Sequence, residues 1–189
     1  PRRPQPRPRR PPPLVAPVGK SRLMQRLREQ VQQVAAHDAP VLLVGEIGTG
    51  REAFPRYLHS LGPRAAGPFV ALSCAGLEEA TALARLRGSE AGGGVQAGAY
   101  DEAQGGTLLL AGIEDLPANV QRALVADLDA GAWTREGGTE RIPLRLRVVA
   151  TAQPGIESPS LERVRRDLVA QLAVVTLRVP PLRDYSEDV

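Results

Sequence analysis

The sequence predicts an α/β fold, a parallel sheet sandwiched by helices, with a phosphate cradle at the carboxyl edge of the sheet. The first sign is the stretch Val41-Leu42-Leu43-Val44-Gly45-Glu46-Ile47-Gly48-Thr49-Gly50-Arg51-Glu52. A short apolar run passes into a glycine-punctuated loop and then into a segment, Glu52 to Ser60, of helical character. Strand, glycine loop and helix turn successive backbone N–H groups, and the positive end of a helix, toward one spot that suits a phosphate. The second sign is the alternation of short apolar strand patterns with amphipathic helical ones along the rest of the chain, which argues for parallel strands covered on both faces. Gly45 and Gly50 have the spacing of the pattern G-x-x-x-x-G-K-[ST], but Arg51 stands at its lysine and Glu52 at its hydroxyl. The cradle is recognisable and its chemistry is altered.

With 189 residues, 42% of them hydrophobic, the chain is long enough to bury one proper core, and at 3% aromatic content that core rests on Leu, Val and Ala. The net charge of +3 sits at one end. Residues 1–13 hold only Pro, Arg and one Gln, and without their five arginines the chain stands at −2. The globular part therefore carries no nucleic-acid footprint of its own. Cys74, the single cysteine, excludes an internal disulfide framework and fits a reducing cytoplasm. No apolar run nears the roughly 18 residues of a membrane span and no signal-peptide core is present, so neither a membrane partner nor secretion is expected.

The elements follow in order. Residues 1–17 form a Pro/Arg-rich segment that cannot pack a core and is expected to be a disordered linker; residues 18–189 form the folded domain. From Lys20 to Ala36 the apolar positions Leu23, Met24, Leu27, Val31, Val34 and Ala35 recur at helical spacing, giving one buried stripe. Asp38-Ala39-Pro40 ends that helix and leads into the strand Val41–Val44. In the helix after the loop, Pro55 would cost roughly 3 kcal/mol as an interior residue and little in a first turn, so a start about two residues after Glu52 relieves it. Pro68–Ser73 reads as a strand, Leu77–Leu86 as a short helix, and Gly88–Gly94 as a glycine cluster too flexible for regular structure. A short helix fits Gly98–Gln104, a buried strand Thr107–Ala111, a helix Asn119–Asp129, and a polar hairpin residues 131–143 with Gly137-Gly138 at its tip. Arg145–Thr151 is a strand, Leu161–Leu172 a helix and Ala173–Val179 a last strand. Cys74 reads as a small buried hydrophobe, Trp133 as packing, and His37 and His59 lack metal-ligand spacing.

These residues resemble a known family, the AAA+ central domain of bacterial sigma-54-dependent transcriptional activators. The resemblance runs from about Val18 to Val189. Ser21 and Met24, Asp38-Ala39-Pro40-Val41-Leu42-Leu43, and Gly45-Glu46-Ile47-Gly48-Thr49-Gly50 follow the family's first helix, strand and G-E-x-G-T-G-K-E loop. His59, Pro63-Arg64, Gly67-Pro68-Phe69-Val70 and Cys74-Ala75 match the next block. Gly105-Gly106-Thr107-Leu108, Ile113, Leu116-Pro117, Gln121, Leu124 and Gly131 match the Walker B strand and its helix, and Pro180-Pro181-Leu182-Arg183 with Glu187-Asp188 match the closing segment. The resemblance implies a P-loop NTPase-type (AAA+) core whose relatives form rings, bind ATP between subunits and press a surface loop against sigma-54. The helical lid is expected to be absent from this chain, and DNA binding to belong to a domain outside it.

The same alignment of motifs implies which parts are altered. The nucleotide-binding positions are Gly45, Glu46, Ile47, Gly48, Thr49, Gly50, Arg51 and Glu52, with the phosphate-contacting lysine replaced by Arg51, a planar fork in place of a point charge. Ala111 and Gly112 occupy the two Walker B acids, so neither a Mg²⁺ ligand nor a water-polarising carboxylate stands there. Glu114 and Asp115 are the nearest carboxylates; the family has a glycine at the first of these positions. Gln153 falls at the sensor asparagine. Arg165 matches the first trans-acting arginine, while Gln171 replaces the second. The interval from Gly88 to Gly98 is short and lacks the aromatic and threonine of the family's G-A-F-T-G-A loop. The resulting expectation is a degenerate AAA+ module, a pseudo-ATPase that binds ATP or ADP weakly, holds Mg²⁺ poorly and contacts sigma-54 poorly, serving regulation or ring-type self-assembly. The alternative is an ATPase with a rearranged site that still drives sigma-54-dependent transcription.

Overall fold

A computed structural model describes residues 16–17, 19–49, 51, 53–158 and 160–184. Most of the expected linker, Gly50 and Glu52 of the cradle, and Glu187-Asp188 lie outside the described residues. The chain opens with α1 (Arg22–Ala35), whose stripe Met24, Leu27, Val31 and Ala35 is buried and whose N-cap, Ser21, accepts the Met24 backbone N–H at 3.3 Å. β1 (Val41–Val44) follows, buried throughout, then α2 (Ala53–Leu61). This start puts Pro55 third in the helix, where its missing N–H is one of the unpaired donors of any first turn. β2 (Phe69–Ser73) and α3 (Glu79–Arg87) come next.

The glycine cluster after α3 is ordered structure, contrary to the sequence reading. β3 (Ser89–Ala91) and β4 (Gly94–Gln96) pair antiparallel, with Ala91 opposite Gly94. The two residues between them, Gly92 and Gly93, have φ of 58° and 81°. A two-residue turn with positive φ at both positions follows the twist of a hairpin, and glycine adopts it without steric cost. The glycines that looked like slack therefore specify the turn.

The remaining elements are α4 (Ala99–Ala103), β5 (Thr107–Ala111), α5 (Ala118–Ala130), β6 (Ala132–Trp133), β7 (Ile142–Pro143), β8 (Arg147–Ala152), α6 (Arg166–Leu172) and β9 (Val175–Arg178). β6 and β7 pair antiparallel, as the hairpin reading of 131–143 required. α6 is shorter than the expected Leu161–Leu172: helix begins only at Arg166, because residues 160–165 carry no helix and Val164 packs into the core from that irregular stretch.

Five parallel strands form one sheet in the order β2-β5-β8-β1-β9. Side chains alternate across β1 with the period of two that strands impose. Val41 and Leu43 join α1 and α2 on one face, together with Phe54, Tyr57 and Leu58. Leu42 and Val44 join a larger cluster under α3, α4, α5 and α6 on the other. The amino ends of β2 and β5 come together backbone to backbone: a Cβ on Gly106 would lie 1.9 Å from the Pro68 carbonyl oxygen, and one on Gly67 only 2.2 Å from that of Gly105.

One buried charge was read in the sequence only as part of a strand. Arg147, at 2% exposure, donates through its guanidinium to the carbonyls of Ala39 (3.1 Å), Ala35 (3.2 Å) and Val34 (3.0 Å). These include carbonyls that the end of α1 leaves without helical partners, so β8 supplies the helix's C-terminal cap. Replacing Arg147 with Met should lower unfolding free energy by about 3 kcal/mol in urea titration, since buried carbonyls lose charge-assisted donors.

His59 offers a pH test. Its Nδ1 lies 2.8 Å from the Thr107 hydroxyl and its ring packs edge-on against Phe69 at 5.4 Å. Burial, opposed in part by a hydrogen bond from the ring to the Gly67 backbone carbonyl and reinforced by Arg56, holds its pKa below the ordinary 6.5. The unfolded chain therefore binds the proton more readily, so this contribution is intact above pH 6.5 and is lost as pH falls from there through the folded value. The thermal midpoint should fall over that window, and His59→Gln should flatten the fall.

Candidate functional site

The carboxyl ends of β1, β5 and β8 meet, because β8 pairs with both of the others: Val44 lies opposite Ala152 and Ala111 opposite Thr151. The loop after β1 holds the candidate cradle. Gly45 is buried, and a Cβ there would lie 3.0 Å from that of Val179 and 3.1 Å from the Thr49 hydroxyl, so a side chain would fit only if these neighbours gave way by a few tenths of an ångström. Gly48 has a φ of 84°, Ile47 is 73% exposed, and the Thr49 hydroxyl donates to the Glu46 carbonyl at 2.7 Å. The Glu46 carboxylate is bound by both terminal nitrogens of Arg183 at 3.0 Å each, tying the loop to the closing segment.

Arg51 is buried at 5% exposure and turns back across the loop, donating through Nη1 to the Gly45 carbonyl at 2.7 Å. Its Nη2 lies 3.8 Å from Oε1 of Glu114. Glu114 comes from the 3-10 turn Ile113–Asp115 after β5, and its other oxygen accepts the Gln153 backbone N–H over a long 3.4 Å. Thus one carboxylate, two residues past the motif's second acid, reaches the cation of the cradle and the sensor position at once.

At the Walker B positions both backbone and side chain bear on the chemistry. Gly112 sits at φ 75°, ψ 64°, and its N–H is shared by the carbonyl (3.1 Å) and hydroxyl (3.0 Å) of Thr151. A glutamate there would have to hold a left-handed conformation at roughly 1–2 kcal/mol. Its Cβ would also lie 3.6 Å from a Glu114 oxygen and 3.7 Å from an Asp115 oxygen, in a crowd of like charge. The residues present do not suit Mg²⁺: Ala111 and Gly112 offer no side-chain donor, Glu114 is engaged with Arg51, and among the described residues no group of three or more His, Cys, Asp or Glu could hold a metal ion. The backbone turn and Arg51 do suit a phosphate.

The side chains of the other predicted residues make their contacts away from the cradle. Gln153 turns its side chain to solvent. Arg165, exposed at the start of α6, pairs with Asp167 at 2.8 and 3.0 Å. Its backbone is fixed from below by buried Gln121, which accepts the Arg165 N–H at 2.8 Å and donates to the Arg163 carbonyl at 2.9 Å. Gln171 folds onto α5, donating to the Val125 carbonyl at 3.3 Å.

The β3–β4 hairpin stands where the sigma-contacting loop is expected, and its base is pinned by a charged network missed in the sequence. Arg135 binds Asp101 at 2.6 Å and Glu90 at 3.0 Å; Arg87 binds Asp127 at 2.7 Å, and the Tyr100 hydroxyl joins the same carboxylate at 3.2 Å. The Trp133 indole donates to the Arg87 carbonyl at 2.9 Å. These partners are far apart in sequence, which is why no local pattern announced them.

The chain matches the model of the sigma-54 interaction domain over residues 17–178. It belongs to that family. It is 41% identical over 178 residues to the C4-dicarboxylate transport transcriptional regulatory protein DctD of Pseudomonas aeruginosa, covering 91% of this chain and 38% of that protein. Structures of NtrX from Brucella abortus with ATP and with ADP superpose with TM-scores of 0.83 and 0.84 at 32% identity, covering 90% of this chain and 38% and 39% of theirs. The P-loop NTPase domain of a sigma-54 transport activator from E. coli matches at TM-score 0.59 and 28% identity, with 87% of this chain and 99% of that one covered. The fold is thus that of the P-loop NTPases, as the cradle and the sheet order require. The chain spans well under half the length of DctD and NtrX.

Cys74 lies beside this site but is inert by its surroundings. It is fully buried, and burial, with Glu114 and Asp115 adding negative charge nearby, pushes its thiol up to about 12. Iodoacetamide at mildly alkaline pH should leave the folded protein unlabelled by mass spectrometry and label it once guanidinium unfolds it.

Proposed function

We propose that this domain is a regulatory or self-assembling module of a bacterial transcription regulator that retains a phosphate cradle and has given up ATP hydrolysis. The observation that carries the reading is the state of the Walker B end. Ala111 and Gly112 bring no acceptor, Gly112 holds a backbone that a glutamate would strain, and the nearest carboxylate, Glu114, faces Arg51. Hydrolysis needs a held metal and an oriented water, and these residues supply neither. ATP or ADP binds weakly through the loop from Gly45 to Arg51, in keeping with NtrX structures that contain either nucleotide. Residues 1–17 serve as a linker from a preceding domain, and DNA contact and the helical lid belong to parts of the protein outside this chain. The regulator works in the cytoplasm; among the described residues no helix is long and apolar enough to cross a membrane. Self-association as a ring is in keeping with the family. Sigma-54 contact is weakened, because the hairpin there ends in Ala91-Gly92-Gly93-Gly94 and its base is fixed by Arg135.

A second reading has one observation in its favour. Glu114 does reach the cradle, so a rearranged site could use it as the missing acid and keep the ATPase and its sigma-54-dependent activity. Turnover separates the two. The purified full-length protein should release no phosphate from Mg·ATP above a no-protein control. Robust Mg²⁺-dependent hydrolysis that Arg51→Ala abolishes would sink the first reading in favour of the second.

A further inference from the structure

Arg51 and Glu114 have to be considered as a pair. The family resemblance puts lysine and glycine at these positions, so the cradle has kept a cation and gained a carboxylate facing it. The two side chains are only 6% and 15% exposed. An ion pair so far out of water costs desolvation on both sides, and loss of either member leaves the other uncompensated. The pair also bridges three elements. Gly45, after β1, accepts from Arg51; Arg51 faces Glu114, after β5; Glu114 accepts from the Gln153 N–H, after β8.

We propose that Glu114 is the cradle's own counter-anion: it occupies Arg51 in the resting domain, and an incoming diphosphate group binds by displacing it. Arg51 is the cation of the loop, and Ala111 and Gly112 provide no metal ligands to share the load of a phosphate's charge. Carboxylate and phosphate therefore compete for one guanidinium. Displacement releases the Gln153 N–H from Glu114, so occupancy is felt at the start of the 153–165 connection, whose far end carries Arg165. The cradle becomes a Mg²⁺-independent sensor of diphosphate, whether from a nucleoside diphosphate or from free pyrophosphate. This rests on the reading of the cradle as a phosphate site that does not hydrolyse.

The test is calorimetric titration of the Mg²⁺-free full-length protein with pyrophosphate and with ADP, for wild type, Glu114→Gln and Glu114→Gly. Removing the internal carboxylate should tighten both ligands roughly tenfold or more. It should also lower the thermal midpoint without ligand and restore it at saturating pyrophosphate. The glycine variant serves if the glutamine variant does not fold. In wild type, the Gln153 backbone amide resonance should shift at a pyrophosphate concentration that saturates the calorimetric signal. Unchanged affinity in the variants, tightening of ADP without pyrophosphate, absence of pyrophosphate binding in every form, or a Gln153 amide that stays put on saturation would each overturn the proposal. Hydrolysis of Mg·ATP by wild type is the separate result that removes the reading beneath it, and it leaves these affinity comparisons intact.

Discussion

Strand β8 is the constraint on which the functional edge of this domain depends. By pairing in parallel with β1 on one side and β5 on the other, it brings Val44, Ala111 and Ala152 to a common edge. The loop after β1, the turn after β5 and the connection after β8 then open within reach of one another. No single one of these segments makes a site. Arg51, Glu114 and Gln153 meet only because the register delivers them together. The other end of the same strand has a matching duty, since Arg147 closes the carbonyl end of α1 and so fixes the helix that covers the opposite face.

Much of this was legible in the sequence, and what was not has a physical cause. β1 and β5 fall at their expected residues because fully buried parallel strands read as unbroken apolar runs between glycine or proline markers. Pro55 left the start of α2 open in the sequence, and the helix begins at Ala53, with the proline in its first turn. The family's motif matches name Ala111, Gly112 and Arg51 together, and all three lie at the carboxyl edge of the sheet. The hairpin β3–β4 was misread because glycine signals both slack and positive φ, and only the pairing of Ala91 with Gly94 tells which. The early start expected for α6 failed because Leu161 and Val164 serve the core from turns instead of a helix. Arg147, Arg135 and the Glu114 contact escaped notice for a common reason. A buried charge is recognised by its partner, and those partners lie far away along the chain.

The altered positions at the functional edge are linked to one another. Gly112 has a left-handed backbone suited to glycine, its missing side chain leaves room beside Glu114, and Glu114 in turn faces Arg51. Each residue makes the next tolerable. An acid at 112 would lie against the like charge of Glu114, and a Glu114 without Arg51 would be a carboxylate largely withdrawn from water. Arg51 after β1 and Gly112 and Glu114 after β5 form one arrangement with its own contacts.

At the opposite edge of the sheet the backbones of β2 and β5 touch, with no room for a Cβ on Gly67 or Gly106. A substitution there would prise an outer strand from its neighbour, whatever the protein is used for. The amino edge of the sheet is therefore fixed by contact between backbones, while the carboxyl edge is defined by the side chains its loops present. Side chains can thus be exchanged along one rim of the sheet while the backbone contact at the other rim keeps the architecture intact.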